Sequence, residues 1–167
     1  LAYSSSYNSI FGNTFTNDGL YVYYSYQNSV ENNTVNGRPL VYLEGVSNYT
    51  VDDAGQVILV RCENIRVEGL NLSRTDVGVE LWETSNSTIS GNNITANKWE
   101  GIWLDSSSGN SISGNNITNN WDGIWLDSSS NYNSISGNNI TANNGEGILF
   151  IFSSNYNTIA GNNITNN

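Results

Sequence analysis

Along most of this chain, apolar and polar residues alternate in short runs. Ile89, Ile94, Ile102 and Leu104 are apolar, with polar residues or Gly between them, which is the period-two signature of strands. Each run lasts about three to five residues before Gly, Asn or Ser interrupts it, and no helical i, i+3, i+4 stripe is sustained. The alternation itself repeats. "GNNIT" stands at residues 91–95, 114–118, 137–141 and 161–165, with starts 23, 23 and 24 residues apart. More diverged units, "SIFGNTF", "SVENNTV" and "RVEGLNL", place Phe15, Val35 and Leu72 where Ile94 stands. A period of 20–24 residues with three short strands predicts an all-β right-handed parallel β-helix (a solenoid) of about seven coils. At roughly 4.8 Å per coil the rod would be about 30–35 Å long.

The spacing also assigns faces. With Ile94 inward, Asn93 points out and Asn92 points in. Asn92 is expected to stack with Asn115, Asn138 and Asn162, with Asn13 and Asn33 in register below and Leu70 as the break. Side-chain amides bonded along the axis would satisfy groups that are otherwise costly to bury. Gly91, Gly114, Gly137 and Gly161 suit corners that need positive φ. Residues 38–61 leave the pattern. They are expected to form a coil with a hairpin or loop insertion around 44–56, within a single domain spanning 1–167.

Composition narrows the function. Charged residues make up only 12%, and hydrophobic residues 37%, which alone would suit a disordered tract; five Trp, ten Tyr and four Phe argue for burial instead. Fifteen acidic against five basic residues give a net charge of -10. That repels phosphates and anionic lipid, so no nucleic acid and no membrane insertion are expected. Without His, Ser-His-Asp and Cys-His nucleophiles are excluded, and lone Cys62 forms no intrachain disulfide. The chain opens without Met or a leader, as a mature or excised segment would.

The stretch from "GRPLVYLEG" through "NLSRTDVGVELWETSNSTISGNNIT" resembles the NosD-type and carbohydrate-binding/sugar-hydrolase β-helix repeat proteins of prokaryotic cell surfaces. The resemblance spans essentially the whole chain. It implies the right-handed β-helix and an extracellular or cell-surface location, while the fold hosts lyases, hydrolases, adhesins and scaffolds alike. The NosD name implies copper-site maturation, yet the chain offers one Cys and neither His nor Met as soft donors. β-Helix pectate lyases, as a family, use Arg or Lys beside acidic calcium ligands. Arg66 and Arg74, near Glu68 and Asp76, are the matching candidates here, and a surface ion pair is the simpler reading of them.

A second recurrent stretch, "GIWLD", carries the candidate binding surface. Its alternation turns Trp103 and Trp125 outward with Asp105 and Asp127, while Glu100, Asp122 and Glu146 stack just before. Indole faces beside carboxylates suit sugar rings, and stacked like charges invite a bridging Ca²⁺ between Asp105 and Asp127 or Glu100 and Asp122. The same residues equally serve as packing sites for a neighbouring chain. A further outward row, Asn71, Asn93, Asn116, Asn139 and Asn163, heads N-x-S/T sequons, and Asn32, Asn48 and Asn86 add three more. Finally, "LAYSSSYNSIFG" matches the middle of the coil "IWLDSSSNYNSISG", with Leu1 at Ile124, Tyr3 at Leu126 and Tyr7 at Tyr132, almost where the last coil stops. Head-to-tail stacking of copies into a filament is therefore the first functional expectation. The alternative is a carbohydrate-active module, either glycan-binding or a Ca²⁺-dependent uronate lyase acting on extracellular polysaccharide.

Overall fold

A computed structural model describes residues 2–167, with side chains described from Ser4 onward; the alignment of Leu1 lies outside the described residues. No helix occurs among those residues, and the strands stack as a parallel β-helix of about seven turns. Three walls run along it. The SIS wall holds Ser47–Val51, Glu63–Glu68, Thr88–Ser90, Ser111–Ser113, Ser134–Ser136 and Thr158–Ala160. The NIT wall holds Asn71–Ser73, Asn93–Thr95, Asn116–Thr118, Asn139–Thr141 and Asn163–Thr165. The GIWLD wall holds Arg38–Glu44, Gln56–Val60, Val79–Trp82, Glu100–Asp105, Asp122–Asp127 and Ile148–Phe150.

Register is kept coil after coil: Ile89 lies over Ile112 and Ile135, Ile94 over Ile117 and Ile140, Ile102 over Ile124. These isoleucines, with Val57, Leu59, Val79, Leu81, Leu104 and Leu126, fill the tube and are fully buried. Period-two alternation supplies one such side chain per wall per coil, so a narrow tube closes without large residues.

The corners carry amide ladders. Asn92 donates from Nδ2 to Asn115 Oδ1 at 3.0 Å and to the Val67 carbonyl at 2.8 Å, and its backbone N–H meets the same Asn115 oxygen at 2.9 Å. The geometry recurs from Asn115 to Asn138 and from Asn138 to Asn162. Two further ladders exist that the "GNNIT" reading did not single out: Asn97, Asn120, Asn143 and Asn167 at one corner, and Asn110 and Asn133 at another. Leu70 does end the first ladder, as its N–H donates to Asn92 Oδ1 at 2.9 Å.

Two expectations need correction at the N-terminal side. Asn13 and Asn33 do pair, both Asn13 donors reaching Asn33 Oδ1 at 2.9 Å. They do not lie under Asn92, because the coil below Leu70 is the one containing Ser47–Val51, whose Val51 pairs with Val67. Nor is there a hairpin inserted at 44–56. Those residues run from the GIWLD wall into the SIS wall and back at Gln56–Val60, a coil shortened by leaving out the NIT wall. The reversal comes earlier, at Asn36-Gly37, where φ is 52° and 82°. This pair of positive φ values is the one a two-residue hairpin turn requires, and it sets Thr34–Val35 antiparallel to Arg38–Glu44.

As a result, the first two coils stack on each other through Ala2–Tyr3 with Val22–Tyr23, Ser9–Phe11 with Ser29–Glu31, and Thr14–Phe15 with Thr34–Val35. They do not continue the tube's axis. The first coil is therefore seated beside the tube rather than forming its lower face.

The ladder makes a sharp prediction about neighbouring letters of one motif. Asn115→Ala strands the Asn92 donors and the Ile89 carbonyl in a buried corner and should cost about 3–5 kcal/mol, at roughly 1–3 kcal/mol per unmet group. Asn93→Ala, on the exposed row, should cost below about 1 kcal/mol. Urea unfolding of both variants compares the two costs directly.

Candidate functional site

The first two coils lie against the outer face of the GIWLD wall. The sequence provides for this on both sides. "LYVYYSY" (20–26) and "QVILV" (56–60) are apolar in both strand phases, so each can be covered on two faces. Leu20, Val22, Val30 and Val35 form a second core with Ile58, Val60, Trp82 and Trp103 of the wall. Polar contacts fix the seat. Leu20 exchanges backbone bonds with the Gln56 amide at 2.9 and 2.6 Å, the Gln27 N–H donates to Glu44, and Trp82 Nε1 donates to the Tyr26 hydroxyl at 2.7 Å. Tyr21 stacks on Trp103 at 5.3 Å and 11°, and Tyr23 meets Trp82 edge-on at 5.0 Å.

This seat revises the expected surface. Trp103 is not an exposed platform; it is 4% exposed under Tyr21 and Tyr23. Trp125, its neighbour in register, is only half-buried, while Trp99 and Trp121 stand about half exposed. Glu100, Asp105, Asp122 and Asp127 are buried rather than presented on an open face, because the N-terminal coils and neighbouring turns cover them. Glu100 lies over Asp122 and Asp105 over Asp127 as the register predicted. Glu146 leaves the column: its strand begins at Ile148, its side chain is exposed, and its N–H donates to Asp122 Oδ1.

Where the N-terminal coils stop short of the upper wall, a cavity of about 420 Å³ opens, lined by Tyr21, Asp76, Trp99, Glu100 and Trp125. A smaller hollow of about 140 Å³ adjoins it between Tyr21, Tyr23, Trp103, Trp125, Glu100 and Asp127. Tyr21 escaped the sequence reading because it belongs to a distant coil; its signal was the two-phase apolar run around it. Arg66 pairs with Glu68 at 3.2 Å on the surface, and Arg74 is exposed; neither lines the cavity. The sequon row is outward as expected and internally bonded, with Asn93, Asn116, Asn139 and Asn163 each donating to the preceding Asn at 2.8–3.0 Å. Asn32, Asn48 and Asn86 are exposed.

The carboxylates around the cavity are held toward their neutral forms. Burial raises Glu100 to about 7, with the Asp122 charge adding to it. Burial likewise raises Asp105 to about 6, with the Ser106 hydroxyl opposing and the Asp127 charge assisting. Glu80 is wholly buried and pushed well above the usual range. Its Oε2 accepts the Val22 N–H at 3.3 Å and its Oε1 has no partner. Asp76 is also raised by burial, against the pull of Lys98, which bridges Asp76 and Asp18 at 3.2 and 2.6 Å.

Comparison with known proteins supports the architecture. Residues 18–167 match a family model described as periplasmic copper-binding protein (NosD). No curated protein matches. Among solved structures, a mutant of the periplasmic alginate epimerase AlgG matches 89% of this chain at 24% identity and a TM-score of 0.53. That likeness is one of fold. The chain spans 37% of that protein's length.

Copper does not fit the residues present. It calls for thiolate, thioether or imidazole donors, and the chain has neither His nor Met. Cys62 is buried, its sulfur 3.3 Å from the Leu43 carbonyl and 3.4 Å from that of Val60, with burial raising the thiol. Among the described residues no three His, Cys, Asp or Glu converge as a metal site. The pairs expected to bridge Ca²⁺ supply two carboxylates at each level and no third.

Two outcomes follow from the covered face. Trp103→Ala should cost about 3–5 kcal/mol as a buried aromatic truncation, and limited proteolysis should then release the N-terminal coils first. The raised carboxyls also set a pH dependence. In the folded chain Glu100 and Asp105 keep protons that the unfolded chain has given up, so stability falls as pH rises from about 4.5 to 7. Glu100→Gln and Asp105→Asn should each flatten that fall in urea midpoints taken across the range.

Proposed function

The chain belongs to the NosD family, and from that premise we propose that it is an extracytoplasmic β-helix protein that binds saccharide, without turning it over, in the cavity between Tyr21, Trp99 and Trp125. The observation that carries this reading is the cavity itself. Three aromatic side chains border about 420 Å³ beside the carboxyls of Glu100 and Asp76. That size is in the range of small-ligand sites, and apolar walls with a few placed polar groups are their usual make-up. Pyranose faces pack on indole and phenol rings, and hydroxyls bond to carboxyl oxygens. The periplasmic descriptions of the family and of the epimerase support a location outside the cytosol.

Binding is favoured over catalysis by what the cavity lacks. A uronate lyase needs a cation for the substrate carboxylate and a base, and no Lys or Arg is among the lining residues. Lys98, the basic residue nearest in sequence, is tied to Asp18 and Asp76. Carboxyls on the wall would repel an acidic polysaccharide at neutral pH. The sideways seat of the first coils supports a binding reading, because it bounds the cavity.

Titration calorimetry against neutral and amino oligosaccharides tests the proposal. Trp99→Ala and Trp125→Ala should each weaken binding about tenfold, the scale of 1.4 kcal/mol for a lost stacking face. Trp121→Ala, equally exposed but outside the lining, should leave affinity unchanged. Absence of binding across the panel, or equal loss from all three variants, would overturn the reading.

A further inference from the structure

We propose that the saccharide taken by this cavity is an amino sugar, bound as its ammonium form with Glu100 as the counter-charge. The proposal rests on the saccharide-binding reading and narrows it to a ligand class. It begins from a charge left unmatched. Glu100 is 6% exposed and lines the cavity, and its own backbone N–H bonds to its carboxylate. The acidic groups around it are Asp122 on the next strand, Asp76 across the cavity and Glu80 one coil below, with the Tyr21 phenol facing from the N-terminal coils; the one basic group near by, Lys98, is held by Asp76 and Asp18. On the same wall, Glu80 Oε1 and Asp105 Oδ2 are buried without a hydrogen-bond partner. A carboxylate this enclosed needs a proton or a cation, and the nearby Lys98 ammonium is already shared between Asp18 and Asp76.

The walls indicate what kind of cation. Tyr21, Trp99 and Trp125 line it, and aromatic rings attract organic ammonium groups within about 6 Å of a ring centroid. No three His, Cys, Asp or Glu side chains gather as a metal site among the described residues, so a bare metal ion would find few charged ligands here. A primary ammonium brings its own three donors and can bond Glu100 while the sugar ring that carries it packs on indole. A neutral hexose would leave Glu100 unmatched. An N-acetylated one would put an uncharged amide at the same point.

The test compares one backbone in three dressings: a glucosamine oligosaccharide, its fully N-acetylated counterpart and a glucose oligosaccharide, each titrated into the whole chain at pH 7 and low salt. The glucosamine oligomer should bind at least about tenfold more tightly than the other two. Glu100→Gln should bring that ratio to about one, while Glu146→Gln, an exposed carboxyl outside the cavity, keeps it. Lowering the pH from 7 to 5.5 should weaken glucosamine binding about tenfold, because Glu100 gains its proton, and leave the N-acetylated form unaffected. Far-UV spectra and urea midpoints confirm that the variants are folded. Equal affinity for the three sugars would overturn the amino-sugar assignment and leave saccharide binding standing, whereas no binding to any of them would remove both. A trilysine peptide bound as tightly as the glucosamine oligomer would overturn the sugar part of the assignment.

Discussion

Everything in this molecule follows from in-register parallel stacking, which sets each side chain directly on its counterpart about 4.8 Å away. A residue type is tolerated at a repeated position only if it can pack or bond with itself. Isoleucine does so by filling the tube, and asparagine by donating an amide N–H to the next amide oxygen, as along Asn92, Asn115, Asn138 and Asn162. A carboxylate does not. Glu100 over Asp122 and Asp105 over Asp127 place like charges together, and the strands offer no geometric escape. The repeat therefore concentrates its one electrostatic conflict on a single wall.

The N-terminal coils sharpen that conflict. By lying over Trp82 and Trp103 they bury apolar surface, which stabilises the seat, and they also remove water from Glu80, Glu100 and Asp105. Desolvation then favours the neutral carboxyl, which is why these groups titrate above the usual carboxylate range. Two unlike consequences share this cause. Stability is traded against ionisation, and a half-covered wall is left with aromatic faces and enclosed acidic groups at the rim of the cover. The cavity is thus a product of incomplete coverage, bounded below by the seated coils and above by Trp125.

How far the sequence announced this depends on which part of the repeat is asked. The tube, its walls and its inward isoleucines were legible because a 23-residue period states them four times over. The first amide ladder was legible from "GNNIT", whereas the ladders of Asn97 and Asn110 were missed since those residues sit in turns, outside the strand alternation that assigns inside and outside. The sideways coils were hidden for a different reason. Their units obey the same consensus as the rest, so alignment alone places them on the axis, and Asn13 and Asn33 fall into a false column. What marks the departure is local: Asn36-Gly37, a hairpin turn, followed by Arg38–Glu44 in reversed pairing. With it go two runs, at 20–26 and 56–60, apolar in both phases and hence too hydrophobic for a wall facing water. Period identifies coils; violations of period two identify the faces that meet something.

The same distinction governs what family membership conveys. The match spans residues 18–167, and what recurs through those coils is Gly at corners, Asn in ladders and Ile in the tube. Those are stacking residues, and they are indifferent to what is bound outside. Copper chemistry would have to be written in outward or terminal positions as His, Met or Cys, and there this chain writes Trp, Tyr, Asp and Glu instead. An enclosed carboxyl beside aromatic rings suits an organic cation better than a small transition-metal ion, which gains little from an aromatic ring and needs several donors at once. The family's coil and this chain's outer wall are therefore independent statements, the first about how the backbone stacks and the second about what chemistry it carries.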